Sequence, residues 1–297
     1  MTGPDAPNTA PNVALIGFGE AGESFARAAS WSGHASGWDV LPERRAAMAR
    51  HGVRAGSDAA DALAPAQCVL SLVTADAALQ AARDYAQLLT PGTLWLDMNS
   101  IAPATKRAAA EAVRAAGGRY CDVAVMAPVD KQLAVPLLLS GPDAAEAQAM
   151  LAALGFTSIR VVGDEVGRAS AIKLCRSVMV KGLEALTAEM ALAASAAGVL
   201  DEVLASLDAS EKSIPWHDRA DYNLDRMLIH GQRRSAEMAE AAQMLRDLGL
   251  DPLMSEQTVA RQRGLGELGL APPPESLRAK LAAIRANPGL PGENQTS

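Results

Sequence analysis

The stretch NVALIGFGEAGESFARAA, residues 12–29, places three glycines within six positions, directly behind a short apolar run. VALI is typical of a buried strand, and ESFARAASW has the composition of a helix. Between them, Gly17 would permit a tight turn, Gly19 would let backbone amides approach a pyrophosphate, and Gly22 would let the helix pack closely on the sheet. The helix N-terminus would add N–H donors and a positive dipole end. The pattern predicts a dinucleotide-binding turn, whose residues are Gly17, Phe18, Gly19, Glu20, Ala21 and Gly22.

An acidic residue follows the turn at the spacing that such a site requires. Asp39 lies 22 residues after Gly17, at the end of the next strand signal, ASGWD. A carboxylate there accepts hydrogen bonds from the adenosine ribose and repels a 2′-phosphate, which favours NAD over NADP. An ordinary glycine-rich turn with a surface acid is the alternative. Arg44 and Arg45 keep NADP open, because arginine can accommodate the extra phosphate.

Two patterns succeed one another along the chain. From Val13 to about Val162, seven apolar runs alternate with alanine-rich amphipathic stretches. This predicts a Rossmann-type α/β domain with a mostly parallel sheet at residues 12–164. Beyond Gly163 the strand signals stop, and residues 168–198 predict one long interdomain helix that Gly198 ends. Further helices are predicted near 200–212, 218–248, 254–268 and 275–286. The second domain is therefore all-α, at residues 165–286, and residues 1–11 and 287–297 are predicted to be disordered tails.

Composition excludes several kinds of partner. The net charge is −7, no lysine or arginine run occurs, and the chain has only four Trp, three Tyr and three Phe, so nucleic acid is not expected. No apolar span of about 18 residues and no signal peptide is visible, so we expect no membrane association and a cytoplasmic location. Cys68, Cys121 and Cys175 are widely spaced without a C-x-x-C pair, which favours buried thiols in a reducing compartment and neither disulfides nor a metal site.

Six landmarks follow one another along the chain: the glycine turn, LSLVTADAAL, LDMNSIAP, YCDVAVMAPV, PLLLSGPDA and VGRASAIKLCRSV. Their order resembles the β-hydroxyacid dehydrogenase and 6-phosphogluconate dehydrogenase superfamily over nearly the whole chain. AVMAPV, SAIKLCRSVMVKGLEAL and HGQRRSAEM are similar to signatures of a branch with a variant C-terminal domain and no settled substrate. The resemblance implies an NAD(P)-dependent oxidoreductase that forms a homodimer, and it assigns Val73 and Thr74 to the cofactor site.

In that family a D-x-S-S/T-I-x-P segment lies beside the nicotinamide. DMNSIAP, residues 97–103, resembles it with Asn99 in place of a serine, which implies that Asn99 contacts the cofactor and Ser100 the substrate. The family's substrate loop, D-A-P-V-S-G-G-V, is replaced by DVAVMAPV. Met126, Ala127 and Pro128 thus stand where Ser-Gly-Gly would bind a carboxylate, which implies a bulkier or less conventional substrate than a short 3-hydroxy acid.

The family's catalytic lysine lies in G-x-G-x-x-x-K-x-x-x-N. Gly167 and Lys173 match the first glycine and the lysine, whereas Ala169 replaces the second glycine and Ser177 the asparagine. The resemblance implies that Lys173 is the general acid/base and that Arg176 and Ser177 contact the substrate.

Helical spacing places Lys173, Ser177, Lys181 and Glu184 within a wedge of about 80°. A lysine acts as acid or base near neutral pH when burial or a nearby cation lowers its pKa, and Arg176 and Lys181 are candidate cations. The alternative is a solvated helix face with a Lys181–Glu184 pair.

His230, Arg233 and Arg234 form a second polar cluster in LIHGQRRSAEM. They could close the site over a substrate carboxylate or the cofactor, with His230 touching the substrate, because arginine binds carboxylates in a bidentate fork. Equally, they could be a helix surface with an Arg233–Glu237 pair.

An apolar stripe through Ile172, Val180, Leu183 and Leu186 is too long for a small helical domain to cover alone. This stripe agrees with the homodimer that the resemblance implies.

Three functions remain in competition. The first is hydride transfer between NAD and the hydroxyl or carbonyl carbon of a small, acidic metabolite, for which no metal is needed. The second is an imine reductase on the same fold, with Tyr222 or His230 as the proton donor; the lysine argues against it and the altered loop leaves room for it. The third is a cofactor-sensing protein without turnover, although no module to transmit such a signal is visible.

Overall fold

The computed structural model describes residues 11–210, 214–247 and 252–287. The chain divides into two compact units, Met1–Lys173 and Leu174–Ser297. The division lies inside a helix, whereas the sequence placed a domain boundary after residue 164. Apart from Pro11 and Asn287, the predicted tails at 1–11 and 287–297 lie outside the described residues.

The first unit is built on one eight-stranded sheet. Its strands are β1 (Val13–Ile16), β2 (Ala35–Trp38), β3 (Arg54–Ala55), β4 (Cys68–Ser71), β5 (Leu94–Asp97), β6 (Arg119–Val125), β7 (Leu137–Ser140) and β8 (Ile159–Gly163). The spatial order is β3-β2-β1-β4-β5-β6-β7-β8, and neighbours are parallel except for the antiparallel β6–β7 pair. The strand order reverses between β1 and β4, which is where doubly wound sheets bind ligands.

Helices cover both faces of this sheet, as the sequence predicted. They are α1 (Glu20–Ala28), α2 (Pro42–Met48), α3 (Ala59–Leu63), α4 (Ala78–Ala86), α5 (Pro103–Ala115) and α6 (Ala144–Ala153). Successive residues of a strand point to opposite faces. Accordingly Leu15 belongs to one buried cluster, with Phe25, and Ile16 belongs to another, with Trp95. The strand that the sequence missed, β3, has two exposed residues and no apolar run.

A long helix, α7 (Arg168–Ala197), contains the division between the units. Its bounds agree with the predicted 168–198. Gly198 adopts φ +73° and the N–H of Val199 donates to Ala194 O at 2.9 Å. This is a glycine-based C-cap that satisfies a terminal carbonyl.

The second unit contains only helices among its described residues. After α7 come α8 (Leu200–Ser210), α9 (Trp216–Asp247), α10 (Leu253–Gly266) and α11 (Leu277–Arg285). Their apolar core includes Leu204, Leu224, Met227, Leu265 and Leu281. None of the helices in the described part of the chain has the length and apolarity needed to span a bilayer.

Candidate cofactor and catalytic site

The glycine turn connects β1 to α1 as the sequence predicted. Gly17 adopts φ +89°, and a Cβ on it would lie 2.6 Å from the carbonyl oxygen of Leu72, so only glycine fits. A Cβ on Gly22 would lie 3.0 Å from Gly17 O, whereas nothing lies within 4 Å of a Cβ on Gly19. Gly19 is the N-cap of α1 and provides no side-chain cap. The space beside Gly19 at the N-terminus of α1 is thus open, and a helix N-terminus with open space beside it fits a pyrophosphate.

Asp39 directly follows β2, and its carboxylate is hydrogen-bonded to the glycine turn. Its Oδ2 accepts a hydrogen bond from the N–H of Phe18 at 2.7 Å, and its Oδ1 accepts one from the N–H of Leu41 at 2.9 Å. The carboxylate therefore fixes the glycine turn and lies at the carboxyl edge of the sheet, where a ribose would bind.

The two arginines near Asp39 are already engaged. Arg45 donates to the carbonyl oxygens of Asp39 at 2.6 Å and Val40 at 3.0 Å, and its guanidinium lies 4.6 Å from the centroid of the Trp38 ring. Arg44 lies 3.7 Å from the carboxylate of Glu23. These contacts hold Arg45 in place by cation–π and hydrogen-bonding interactions.

Asn99 occupies the carboxyl edge of β5 and presents an unused acceptor. Its Nδ2 donates to Ser71 Oγ at 2.9 Å and to Asp97 Oδ1 at 2.8 Å. Its Oδ1 is buried and has no hydrogen-bond partner among the described residues. An unpaired buried acceptor is costly, and native proteins usually satisfy it. A donor on a bound ligand, such as a ribose hydroxyl or a carboxamide N–H, fits this position.

Lys173 reaches the same segment. Its Nζ donates a hydrogen bond to Ser100 Oγ, and both residues are half-buried. The structure thus brings together Asn99, Ser100 and Lys173 within the first unit. Val73 and Thr74 follow β4, the strand that lies between β1 and β5.

The first unit also matches a known domain. Residues 12–163 match the model described as the NAD binding domain of 6-phosphogluconate dehydrogenase. The chain belongs to the 6-phosphogluconate dehydrogenase-like superfamily. Its first unit is therefore a nicotinamide-dinucleotide-binding domain of a dehydrogenase family. Residues 194–265 match a domain of unknown function, DUF1932, which agrees with the variant C-terminal domain expected from the sequence.

Three solved structures show how far this likeness extends. A conserved hypothetical protein from Sinorhizobium meliloti is 33% identical, with 94% of this chain and 97% of that chain covered and a TM-score of 0.73. A conserved protein of unknown function, described as structurally similar to 3-hydroxyacid dehydrogenases, is 31% identical, with 86% and 96% covered and a TM-score of 0.67. The 3-hydroxyisobutyrate dehydrogenase of Salmonella typhimurium is 20% identical, with 93% and 99% covered and a TM-score of 0.69, and it shares the fold.

Relative to the superfamily's glycine-rich substrate loop, the segment after β6 has few backbone donors. The N–H of Met126 donates to Pro136 O at 2.8 Å, and Pro128 has no N–H. Met126 and Ala127 are half-buried and Pro128 is exposed. The segment therefore has fewer backbone N–H donors for a carboxylate than Ser-Gly-Gly would offer.

The polar stripe on α7 is not a solvated face, and that alternative is wrong. Ser177, Lys181 and Glu184 are all buried. Lys181 pairs with Glu237 of α9, and not with Glu184. Burial lowers the pKa of Lys181.

The cluster on α9 divides into an exposed pair and a buried one. Arg233 pairs with Glu237 one turn away, as one alternative predicted. Arg234 is 4% exposed and donates to both carboxylate oxygens of Glu184 on α7. Its guanidinium is thus paired inside the second unit through Nη2. His230 is half-buried, and Arg176 and Ser177 lie on α7 in the same unit.

Sequence reasoning missed two fully buried charged residues of the first unit, Lys106 and Asp122. Lys106 lies on α5 and Asp122 lies within β6. The available signal was the acid that interrupts the apolar run in YCDVAVM, because a charge in a buried strand requires partners.

Proposed function

We propose that the protein is an NAD-dependent dehydrogenase or reductase that acts on the hydroxyl or carbonyl carbon of a small, acidic metabolite. Bound NAD supplies the hydride acceptor. Lys173 takes the hydroxyl proton during oxidation and returns it during reduction, the role of a general acid/base. The observation that supports this role is the hydrogen bond from Lys173 to Ser100, because Ser100 directly follows Asn99, whose Oδ1 is a buried acceptor without a hydrogen-bond partner among the described residues.

The residues that we assign to the cofactor lie at the carboxyl ends of neighbouring strands of the sheet. Residues 17–22 hold the pyrophosphate, and Asp39 holds the adenosine ribose. Val73, Thr74 and Asn99 follow β4 and β5 and would contact the nicotinamide half. Asn99 Oδ1 would accept one hydrogen bond from it.

The substrate contacts are assigned on the resemblance to the superfamily. They are Ser100, Met126, Ala127, Pro128, Arg176, Ser177 and His230. Arg176 is exposed, whereas the guanidinium of Arg234 is paired with Glu184. Arg176 is therefore the arginine that we assign to a substrate carboxylate.

NAD is the preferred cofactor in this proposal. The Asp39 carboxylate would lie beside the 2′-position and repel a phosphate, and Arg45 is held by Trp38 and two carbonyl oxygens. Calorimetry should therefore show tighter binding of NAD than of NADP. Arg44→Ala, which removes only an exposed partner of Glu23, should leave both affinities unchanged. Tighter binding of NADP by the wild-type protein would contradict the assignment.

A homodimer belongs to the same proposal. Large apolar side chains are exposed along α7: Ile172 (37%), Met179 (64%), Val180 (37%), Leu183 (46%) and Leu186 (47%). A contiguous apolar stripe of this kind marks an interaction surface. Light scattering should report a dimer at micromolar concentration, and Leu183→Glu should shift it to monomer. A wild-type protein that is only monomeric would overturn this part of the proposal.

We place the protein in the reducing cytoplasm. Cys68, Cys121 and Cys175 are all free; Cys68 and Cys121 are buried as expected, but the expectation was wrong for Cys175, which is exposed on α7. Burial raises the pKa of Cys68 to about 12, so this thiol stays protonated. Free thiols are typical of a reducing compartment. Cell fractionation that recovers the protein outside the cytosol would argue against this location.

An absorbance screen tests the reaction itself. Purified protein is mixed with NAD or NADP and with hydroxy acids, oxo acids or cyclic imines, and the nicotinamide absorbance is followed. Turnover of a hydroxy or oxo acid supports the proposal. Reduction of imines alone would favour the imine reductase that the altered segment 126–128 leaves open, and cofactor binding without any turnover would favour a sensor.

A further inference from the structure

A buried ionic cluster lies inside the first unit and contacts the start of α7, which contains Lys173, and the segment after β5, which contains Ser100. It consists of Asp97, Lys106 and Asp122, all 0% exposed. Lys106 Nζ lies 2.8 Å from Asp97 Oδ1 and 3.3 Å from Asp122 Oδ1, and it donates to Asp97 O at 2.6 Å. One cation between two carboxylates leaves excess negative charge, so the carboxylates need further donors.

Asp122 finds those donors at the start of α7. Its Oδ2 accepts from the N–H groups of Gly167 at 3.1 Å and Ser170 at 3.0 Å, and its Oδ1 accepts from Ser170 Oγ at 2.6 Å. Ser140 Oγ donates to Asp122 Oδ2 at 3.1 Å and accepts from the N–H of Ala169 at 2.9 Å. The first N–H groups of a helix have no partner within it, and a carboxylate there is favoured by the helix dipole. Asp122 and Ser140 together therefore hold the first turn of α7.

Lys173 lies in the next turn of α7. It follows Ser170 by three residues, so the two side chains lie on the same side of the helix. The start of α7 is also pressed against the start of α5, because a Cβ on Gly167 would lie 2.8 Å from Pro103 Cβ. A fixed helix start fixes the position from which the Lys173 amine reaches Ser100.

Asp97 holds the other partner. Its Oδ1 accepts from the backbone N–H of Asn99 at 3.0 Å, and its Oδ2 accepts from Tyr120 OH at 2.7 Å. Burial raises the pKa of Tyr120 well above its usual range, so the phenol remains a donor. The segment that contains Asn99 and Ser100 is thus tied to Asp97.

We propose that the Asp97–Lys106–Asp122 cluster is a positioning unit that sets the Lys173 amine against Ser100. Asp122 holds the helix that carries Lys173, Asp97 holds the segment that carries Ser100, and Lys106 joins the two carboxylates. None of the three is assigned a contact with substrate or cofactor; they act through Lys173 and Ser100. The catalytic meaning of this unit rests on the proposed function, whereas the positioning itself does not.

A pair of serine variants tests the positioning. Ser170→Ala removes the 2.6 Å hydrogen bond to Asp122. Ser36→Ala, the matched control, removes a 2.6 Å hydrogen bond from another buried serine of the same unit to Ala62 O. Ser140→Ala, which removes the link to Ala169, repeats the test should Ser170→Ala not fold. Each protein receives brief pulses of acetic anhydride over a range of pH, and mass spectrometry measures the acetylation rate of Lys173.

We expect Ser170→Ala and Ser140→Ala to change the rate of Lys173 acetylation at a given pH by about threefold or more, which corresponds to about half a pKa unit for the amine. Ser36→Ala should leave the profile of Lys173 unchanged although it removes a comparable hydrogen bond. With a substrate from the screen, Ser170→Ala should lower kcat by about tenfold or more and change KM little, because misplacement affects the reacting geometry.

An acetylation profile of Lys173 that is the same in Ser170→Ala, Ser140→Ala and wild type would overturn the proposal, as would an equal change in Ser36→Ala. The acetylation measurement is independent of turnover. A changed profile in a protein whose turnover does not depend on Lys173 would therefore support the positioning unit and reject the proposed catalytic role.

Discussion

The close contact between α9 and α10 at Gly231 predicts that a single added methyl group there will destabilise the protein. A Cβ on Gly231 would lie 2.1 Å from Gln262 O and 2.8 Å from the amide nitrogen of Gly266. Ordinary van der Waals contact begins at 3.4 Å, so in Gly231→Ala the new Cβ and Gln262 O must move apart by about 1.3 Å. Because the obstructing atoms are backbone, no side-chain rotation can relieve the overlap, and the two helices must move apart.

The expected cost follows from this geometry. Overpacking lowers the free energy of unfolding by about 1–3 kcal/mol. Replacing a helical glycine by alanine raises it by up to about 1 kcal/mol. Displacing two helix backbones belongs at the upper end, so we expect a net loss of about 2 kcal/mol in the free energy of unfolding. This corresponds to a fall in Tm of about 4–8 °C.

Thermal and urea unfolding of Gly231→Ala measure this loss, and Gly182→Ala is the matched control. Gly182 lies in α7, and nothing lies within 4 Å of a Cβ placed on it. Gly182→Ala should therefore leave stability unchanged or raise it by up to about 1 kcal/mol. A Gly231→Ala protein as stable as Gly182→Ala would refute the close crossing of α9 and α10.

Three further predictions concern charges and the glycine turn. Glu184→Gln leaves the buried Arg234 without its carboxylate and should cost about 3–5 kcal/mol; Glu256→Gln, which breaks the exposed pair with Arg246, should cost less than about 1 kcal/mol in the same urea titration. Because burial lowers the pKa of Lys181, the unfolded chain binds this proton more tightly, so the free energy of unfolding should rise with pH up to the unfolded value of 10.5. Lys181→Met should remove that rise in urea unfolding measured across alkaline pH. Gly19→Ala should leave Tm unchanged, because its Cβ meets open space, but should weaken NAD binding in calorimetry by about tenfold or more, about 1.4 kcal/mol.

The parts of the fold that depend on local pattern could be predicted from the sequence. Buried parallel strands have continuous apolar runs, and for this reason β1, β4 and β5 were recognised, whereas the exposed β3 was not. The bounds of α7 followed from an uninterrupted helical pattern that ends at Gly198. Tight turns and close backbone contacts require glycine at particular positions, so the turn at residues 17–22 could also be predicted from the sequence.

The residues that pack against each helix face could not be predicted from the local sequence pattern. The polar stripe of α7 was located correctly, but the ion-pair partners of Lys181 and Glu184 come from α9. Glu237 is 56 residues from Lys181, and Arg234 is 50 residues from Glu184. Periodicity shows which residues share a face and does not show what packs against it. The Asp97–Lys106–Asp122 cluster was missed for the same physical reason, since its members belong to β5, α5 and β6.

In the proposed function, Lys173 performs the proton transfer that accompanies hydride transfer. The most direct test compares Lys173→Met with wild type for kcat, on a substrate from the screen, and for the Kd of NAD. Turnover should fall by about 10²–10⁴, the range for loss of a positioned acid/base. The Kd should stay nearly constant, because the proposed function assigns cofactor binding to the glycine turn and Asp39 and not to Lys173. A variant that keeps more than about a tenth of wild-type turnover would contradict the claim, and Tyr222 or His230 would then be the next proton donor to test.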